Sequence, residues 1–333
     1  TQRLILSSIE NKHRNPGWLH EIVANGRNNV DVDKFDYLER DAKYCGVPNS
    51  VDTLRLSKFM KVIDNEICFK ASEKHNLYEL FTSRARLHQL VYTHKKAKGI
   101  EYMIVDALIN ADMAWDNWIS KAQENVEDYI ELDDTIIKRI EWDKNRSPHM
   151  KKAKDILRRL RNRDLYKFCS EFIVPPERIP QYTNISAEDI STCQDTNSEI
   201  NLVPDDIIVH NMKIDWGMKV QNPVDFVHFY ADYDSNDKFS IPKSQVSSLY
   251  TDTFIQRSVR VFSRNSDQKY VEAIATAFDN YQRRNYGTDV VQQYSTPIKG
   301  SSSRKRQCVR EPLLDENRQL DEPSPTNECL TTL

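Results

Sequence analysis

Glycine is scarce in this chain, with seven in 333 residues against a usual share of ~7%. No two of them stand in a GxGxxG or GxxxxGK arrangement, so a backbone cradle for phosphate is not expected, and any bound phosphate must be held by Lys, Arg and His side chains. The six cysteines, Cys45, Cys68, Cys169, Cys193, Cys308 and Cys329, form no CxxC pair. That argues against a zinc ribbon and against a secreted disulfide framework, and makes an intracellular, reducing compartment the expectation. No apolar run reaches the length of a membrane span, so no membrane partner is expected. The net charge of −3 argues against a generally basic nucleic-acid binder and leaves local basic patches open. There is no internal repeat, and Thr1 opens no signal-peptide pattern, so the chain reads as part of a longer protein.

What is present describes a soluble protein with much exposed helix: 39% hydrophobic residues, 29% charged and a mean hydropathy of −0.69. The length allows a substantial core and two structural units plus a tail. Residues 1–165 read as helical, with periodic apolar positions around Trp18, Ile22 and Val23, around Leu77, Leu80, Phe81 and Leu87, and around Met103, Ile104, Ala107 and Leu108. One interruption, Phe59 to Lys70, predicts two short strands joined by an Asp-Asn turn. A long helix is expected from Asn76 to Lys96, with Gly99 as its end or a kink. Residues 166–286 give an α+β lobe: strands over Ile207–Ile214, Phe226–Tyr233 and Ser258–Ser263, helices near Ser244–Ile255 and Gln268–Arg283, and a polar, mobile connection from Asn184 to Ile200. Residues 287–333 have the Ser, Pro and charge content of a disordered tail. The fold class is therefore mostly α with an α+β C-terminal lobe.

Three constellations invite chemistry. Residues 28–41 hold five carboxylates, a lysine and a tyrosine. With a helix starting near Asp33, Asp33, Tyr37 and Asp41 share one face beside Lys34. The alternative is a solvated acidic helix start favoured by the macrodipole. In the long helix Arg84, His88 and Tyr92 recur every four residues, a stripe that drifts by about 40° per step. Arg offers a fixed fork for phosphate oxygens, His exchanges a proton and Tyr stacks or hydrogen-bonds. The same stripe equally suits salt bridges to Asp33 and Asp41. The third is the basic run Lys151, Lys152, Lys154, Arg158, Arg159, Arg161 and Arg163, a solvated face on the plain reading and a triphosphate or nucleic-acid site on the functional one. Arg55, Lys70 and Lys74 add positive charge around the hairpin. No cluster with metal-ligand spacing accompanies Asp33.

The stretch Asn29-Val-Asp-Val-Asp-Lys-Phe-Asp-Tyr-Leu-Glu-Arg-Asp41, with Asn76-Leu-Tyr-Glu-Leu-Phe, Arg84, Leu87-His88 and Tyr92-Thr-His-Lys95, closely resembles the SAM-and-HD-domain deoxynucleoside triphosphate triphosphohydrolases of vertebrates. The similarity continues through Ala153-Lys-Asp-Ile-Leu-Arg158, Asp215-Trp-Gly-Met218, Asn222-Pro-Val-Asp225 and Thr296-Pro-Ile-Lys299. The resemblance implies an HD-type helical core over residues 1–165 and a regulatory, oligomerising lobe over 166–286. It implies a divalent metal (Zn, Fe, Mn or Mg) held by two His and two Asp, which promotes attack of water on the α-phosphate of a dNTP and releases deoxynucleoside and triphosphate.

By that resemblance Asp33 matches the last metal ligand, and the other three lie upstream of Thr1. Lys34, Tyr37, Asp41, Arg84, His88 and Tyr92 match substrate-pocket residues. Arg55, Phe59, Lys70, Asn76, His94, Lys95, Lys154 and Arg158 match positions around the GTP and dNTP activator sites that assemble a homotetramer. Thr296 matches the target of a cyclin-dependent kinase. Leu90 stands where familiar members have Arg, and Gln221 where Lys is common. A nuclear location and an antiviral role are further implications. The chain is then expected to be part of a dNTP triphosphohydrolase that is inactive by itself. The rival readings are a single-stranded nucleic-acid-binding module using Lys151 to Arg163 and Arg304-Lys-Arg306, and a variant that joins or poisons tetramers of the full-length enzyme.

Overall fold

The computed structural model describes residues 17–195, 199–247, 249–250 and 252–288, all within the compact unit Thr1–Pro297. In chain order the helices are α1 (Gly17–Val23), α2 (Val32–Cys45), α3 (Thr53–Lys58), α4 (Lys74–Leu87), α5 (Lys95–Ala114), α6 (Trp118–Ala122), α7 (Val126–Ile130), α8 (Ile136–Trp142), α9 (Pro148–Arg161), α10 (Ala187–Ser191) and α11 (Gln268–Tyr286). The strands are β1 (Met60–Ile63), β2 (Glu66–Lys70), β3 (Lys167–Ile173), β4 (Ile207–Asp215), β5 (His228–Tyr230) and β6 (Ile255–Ser263).

Local sequence explains the boundaries that matter for the site. Helix α2 starts because Asp31, in an extended conformation, accepts from the Lys34 N–H, and it stops at Gly46, whose φ of 65° suits a residue without a Cβ. Asp64 and Asn65 both have positive φ, 49° and 63°, the I′ type of turn that lets β1 and β2 keep their natural twist. Pro148 opens α9 behind the Ser147 cap, where its missing N–H is no loss.

Two sheets result. β1 pairs antiparallel with β2, and β5 adds in parallel on the other side of β2, Cys68 opposite His228. The second sheet runs β3-β6-β4, fully antiparallel, and its centre aligns Glu171, Arg260 and His210 across the three strands.

Three apolar clusters hold these elements together. Leu38, Leu56, Phe69, Leu77, Leu80 and Phe81 meet Trp216, Val227 and Phe229, so residues from beyond 200 complete the core around α2, α4 and the hairpin. Met103, Ala107 and Ala111 of α5 pack on Met150, Ala153 and Leu157 of α9. Helix α11 covers one face of the β3-β6-β4 sheet through Ile274, Ala277 and Phe278 on Phe172, Val259 and Val261. Each fully buried Phe or Leu contributes about 1.5–3 kcal/mol.

Several expectations are corrected. The helix expected over 76–96 is α4 followed by a π-helical turn, His88–Tyr92, and the chain leaves the helix at Thr93-His94, not at Gly99. The Thr93 N–H reaches back five residues to the His88 carbonyl at 3.0 Å, and His94 is extended, with ψ 131°. Gly99 lies buried inside α5, where a Cβ would meet the Tyr166 carbonyl at 3.4 Å: it permits close packing and ends nothing.

Among the described residues of 244–255 there is a short 3-10 turn, Lys243–Gln245, in place of a helix, because Val246, Tyr250 and Phe254 each anchor separately on the first core. The polar connection contains α10, closed by a reciprocal Ser186–Asp189 capping box and pinned by buried Ile190. The strand expected over Phe226–Tyr233 shrinks to β5, since Pro223–Phe226 forms a 3-10 turn. Strand β3 had no clear sequence signal. Residues 1–16, the tail from 289 onward with Thr296, and Arg304 to Arg306 lie outside the described residues.

Candidate functional site

Helix α2 presents Tyr37 and Asp41, both half-buried, toward α4 and its π turn. The Tyr92 hydroxyl donates to Asp41 Oδ2 at 2.5 Å, a hydrogen bond to a charged acceptor. It holds the Asp41 carboxyl below the usual carboxylate range, with Arg40 helping. Burial, and then the Asp41 carboxylate, push the Tyr92 phenol up. The Tyr92 ring lies edge-on to Tyr37 at 6.4 Å and to His88 at 5.0 Å.

Burial, and next the Arg84 guanidinium, push His88 below its ordinary value, so the imidazole is neutral at pH 7 and has both a donor and an acceptor nitrogen. Arg84 donates to the Asp215 carbonyl and stands 3.9 Å from its carboxylate. Burial alone would raise Asp215, but Lys213, the Gly217 N–H and Arg84 together keep it low. Burial raises the Tyr37 phenol against the opposing influence of Arg84. Tyr37, Asp41, Arg84, His88 and Tyr92 therefore form one neighbourhood from two helices far apart in sequence.

Two members of the expected pocket behave differently. Lys34 is 9% exposed and its ammonium sits 3.2 Å from both Asp31 oxygens, so its charge is engaged by the residue that caps the helix. Asp33 is exposed on the first turn of α2. Among the described residues no group of three His, Cys, Asp or Glu is placed to hold a metal ion. Asp33 is one donor and does not by itself fit a metal centre.

The remaining expected residues fall into three separate places. At the foot of the hairpin, Arg55 stands 5.0 Å and Lys70 5.6 Å from the centre of the Phe59 ring. Arg55 pairs at 2.8 Å with Glu73, itself 1% exposed. Asn76 exchanges hydrogen bonds of 2.9 and 2.8 Å with the Asp52 backbone. His94 and Lys95 are exposed at the start of α5, Lys95 resting 4.6 Å over Phe168. Lys154 and Arg158 line an open cavity of ≈ 570 Å³ with Arg146, Lys151, Arg161, Glu141 and Asp155. There Lys154 donates to the Asp143 carbonyl, Arg158 pairs with Asp155 at 3.0 Å and Arg161 with Glu141 at 2.9 Å.

Sequence reasoning assigned no role to Asp31, Glu73 or Asp215. Asp31 had a usable signal, an Asp just ahead of a periodic helix. The contacts of Glu73 with Arg55 and of Asp215 with Arg84 become visible only when the chain is folded.

A family profile described as the HD associated region matches residues 51–234. The deoxynucleoside triphosphate triphosphohydrolase SAMHD1 homolog of Dictyostelium discoideum is 42% identical over 278 residues, 83% of this chain and 52% of that protein. Deoxynucleoside triphosphate triphosphohydrolase SAMHD1 of Gallus gallus is 34% identical over 307 residues, 85% of this chain and 49% of that protein. That of Homo sapiens is 34% identical over 280 residues, 79% and 44%. The chain thus spans about half the length of the curated relatives it matches.

Proposed function

The chain belongs to the family of the HD associated region and is homologous over most of its length to SAM-and-HD-domain triphosphohydrolases, and from that membership we propose that it supplies the dNTP-binding wall of such an enzyme. The reaction is hydrolysis of a dNTP by water to a deoxynucleoside and triphosphate. One arrangement carries the reading: Arg84 and His88 stand beside the Tyr92–Asp41 pair. Arg84 supplies a fixed charge for phosphate oxygens. Neutral His88 donates its ring N–H to a phosphate oxygen. Tyr92 and Asp41 present a hydroxyl and a carboxylate to a deoxyribose hydroxyl, with Tyr37 closing the edge.

A divalent metal would supply activation of the attacking water when bound. Among the described residues Asp33 alone is offered toward it, too few donors to hold the ion. The corner of Arg55, Phe59, Lys70 and Asn76 is suited to an activating nucleotide such as GTP or a dNTP, because an aromatic ring flanked by two cations takes a base and its phosphates. Assembly into a homotetramer belongs to the same proposal.

Calorimetric titration of the 333-residue chain with a hydrolysis-resistant dNTP, together with a triphosphate-release assay in Mn²⁺, tests this. Binding that weakens about tenfold or more in Arg84→Ala and His88→Ala, unaltered in Lys61→Ala, is the expected result, with no turnover by the chain alone. Equal binding by all variants, or robust turnover abolished by Asp33→Ala, would overturn it.

A second reading, binding of single-stranded nucleic acid, draws on Trp142. It is 75% exposed and lines an open cavity with Lys138, Arg139 and Lys144, a stacking surface among cations. Its mark would be an affinity that falls steeply with salt and ignores deoxyribose.

A further inference from the structure

The turn that carries His88 and Tyr92 is fastened to the β3-β6-β4 sheet by three polar ties. Arg84, just before it, donates to the Asp215 carbonyl at the end of β4. Within it, Gln89 donates to the Gln256 side chain on β6 at 3.0 Å. At its close, Arg260 of β6 donates through Nη1 to the Thr93 carbonyl and through Nε to Glu171 on β3 at 2.8 Å. Thr93 is also the residue that locks the turn, since its N–H and its hydroxyl both donate to the His88 carbonyl, at 3.0 and 2.6 Å.

Arg260 occupies an unusual place for a cation. It is 9% exposed at the centre of the middle strand, and its neighbours Val259, Val261 and Phe262 are fully buried. Removing a guanidinium from water is costly, and one carboxylate partner seldom repays it. The cost makes sense if the fork has a second acceptor to hold. That acceptor is the Thr93 carbonyl, which lies where the π turn ends and α5 has not begun, among the carbonyls a helix end leaves unsatisfied.

We infer that Arg260 is a positioning residue: it clamps the end of the π turn to the sheet and so fixes the direction in which His88 and Tyr92 face Arg84 and Asp41. The planar guanidinium is suited to this because it engages Glu171 and Thr93 at once from two nitrogens. A Lys ammonium is a single point that favours one of them. The consequence for nucleotide binding rests on the dNTP reading above. The clamp itself does not.

The test uses the 333-residue chain with Arg260→Gln and Arg260→Lys, read by amide hydrogen exchange at Thr93 and His94, with the β6 amides as internal control, and by titration with a hydrolysis-resistant dNTP. Expected are exchange at Thr93 and His94 about tenfold faster in Arg260→Gln, an intermediate value in Arg260→Lys, β6 amides within about twofold of the parent, and dNTP affinity falling in the same order. Unchanged exchange at Thr93, or equal acceleration of Thr93 and the β6 amides in both variants, overturns the clamp and leaves Arg260 as a mere stabiliser of the sheet. Altered exchange with dNTP affinity untouched overturns its role toward the nucleotide. If the parent chain binds no dNTP while the exchange pattern holds, the clamp stands and the dNTP reading falls.

Discussion

His210, half-buried on β4 opposite Arg260, shows what partial burial of an ionisable group does to stability. Burial first, then the charges of Lys98 and Arg260, push its pKa down to about 4, with Glu101 opposing; Nδ1 has no hydrogen-bond partner among the described residues. The unfolded chain binds the proton at the ordinary value of about 6.5, so the folded state is the poorer proton acceptor. Stability is therefore complete above about pH 6.5 and is lost as pH falls toward 4. His210→Gln should lose less on acidification, its melting temperature falling by roughly 2–4 °C less than the parent's between pH 7 and pH 4.5. Parallel melting curves across that range would remove His210 from the acid response. A histidine inside a strand gives no such warning in the sequence, because its burial depends on Tyr102 arriving from α5.

Helix α2 is the element on which the site depends, and its start carries a double duty. Asp31 caps the helix and neutralises buried Lys34. Its Oδ2 also accepts from the Asn25 N–H at 3.2 Å. Asp31→Ala should cost about 3–5 kcal/mol in urea unfolding, because it strands a buried cation; Asp31→Asn, which keeps an acceptor for the cap, should cost less. A loss under 1 kcal/mol for Asp31→Ala would mean that Lys34 swings out to water.

Much of this level was legible. The four-residue spacing of Asp33, Tyr37 and Asp41 announced α2, the Asp-Asn pair announced the hairpin, and the same spacing brought Arg84 of α4 near His88 and Tyr92 of the turn that follows it. The break at Thr93 was not legible, since a π turn depends on an i to i+5 bond that no propensity favours, and Gly99 drew attention that its packing against Tyr166 explains. The expected helix over 244–255 failed for a related reason: Val246, Tyr250 and Phe254 follow the contours of an existing core, Tyr250 stacking on Tyr78 at 4.2 Å, and helical spacing does not tell such anchors from a periodic face.

At the scale of the molecule, the hairpin and β5 join parts of the chain some 160 residues apart, and Trp216 fills the core beneath α4. The arrangement explains why pocket residues drawn from 33–92 need the later sheet to stand in place: Asp215, Gln256 and Arg260 hold the side that α2 does not. Helical spacing placed Tyr37 with Asp41 on α2, and Arg84, His88 and Tyr92 near one another. It did not reach these cross-chain ties, which have no local pattern, nor the engagement of Lys34 by its own cap. On the proposed function, Tyr37, Asp41, Arg84, His88 and Tyr92 line one nucleotide-sized space. A crystal structure of the chain soaked with a hydrolysis-resistant dNTP measures that directly. Phosphate oxygens should lie within hydrogen-bond distance of Arg84 and His88 and the deoxyribose against Tyr92 and Asp41; a dNTP seated only in the cavity of Lys154 and Arg158, with the α2–α4 face bare, would rule that site out.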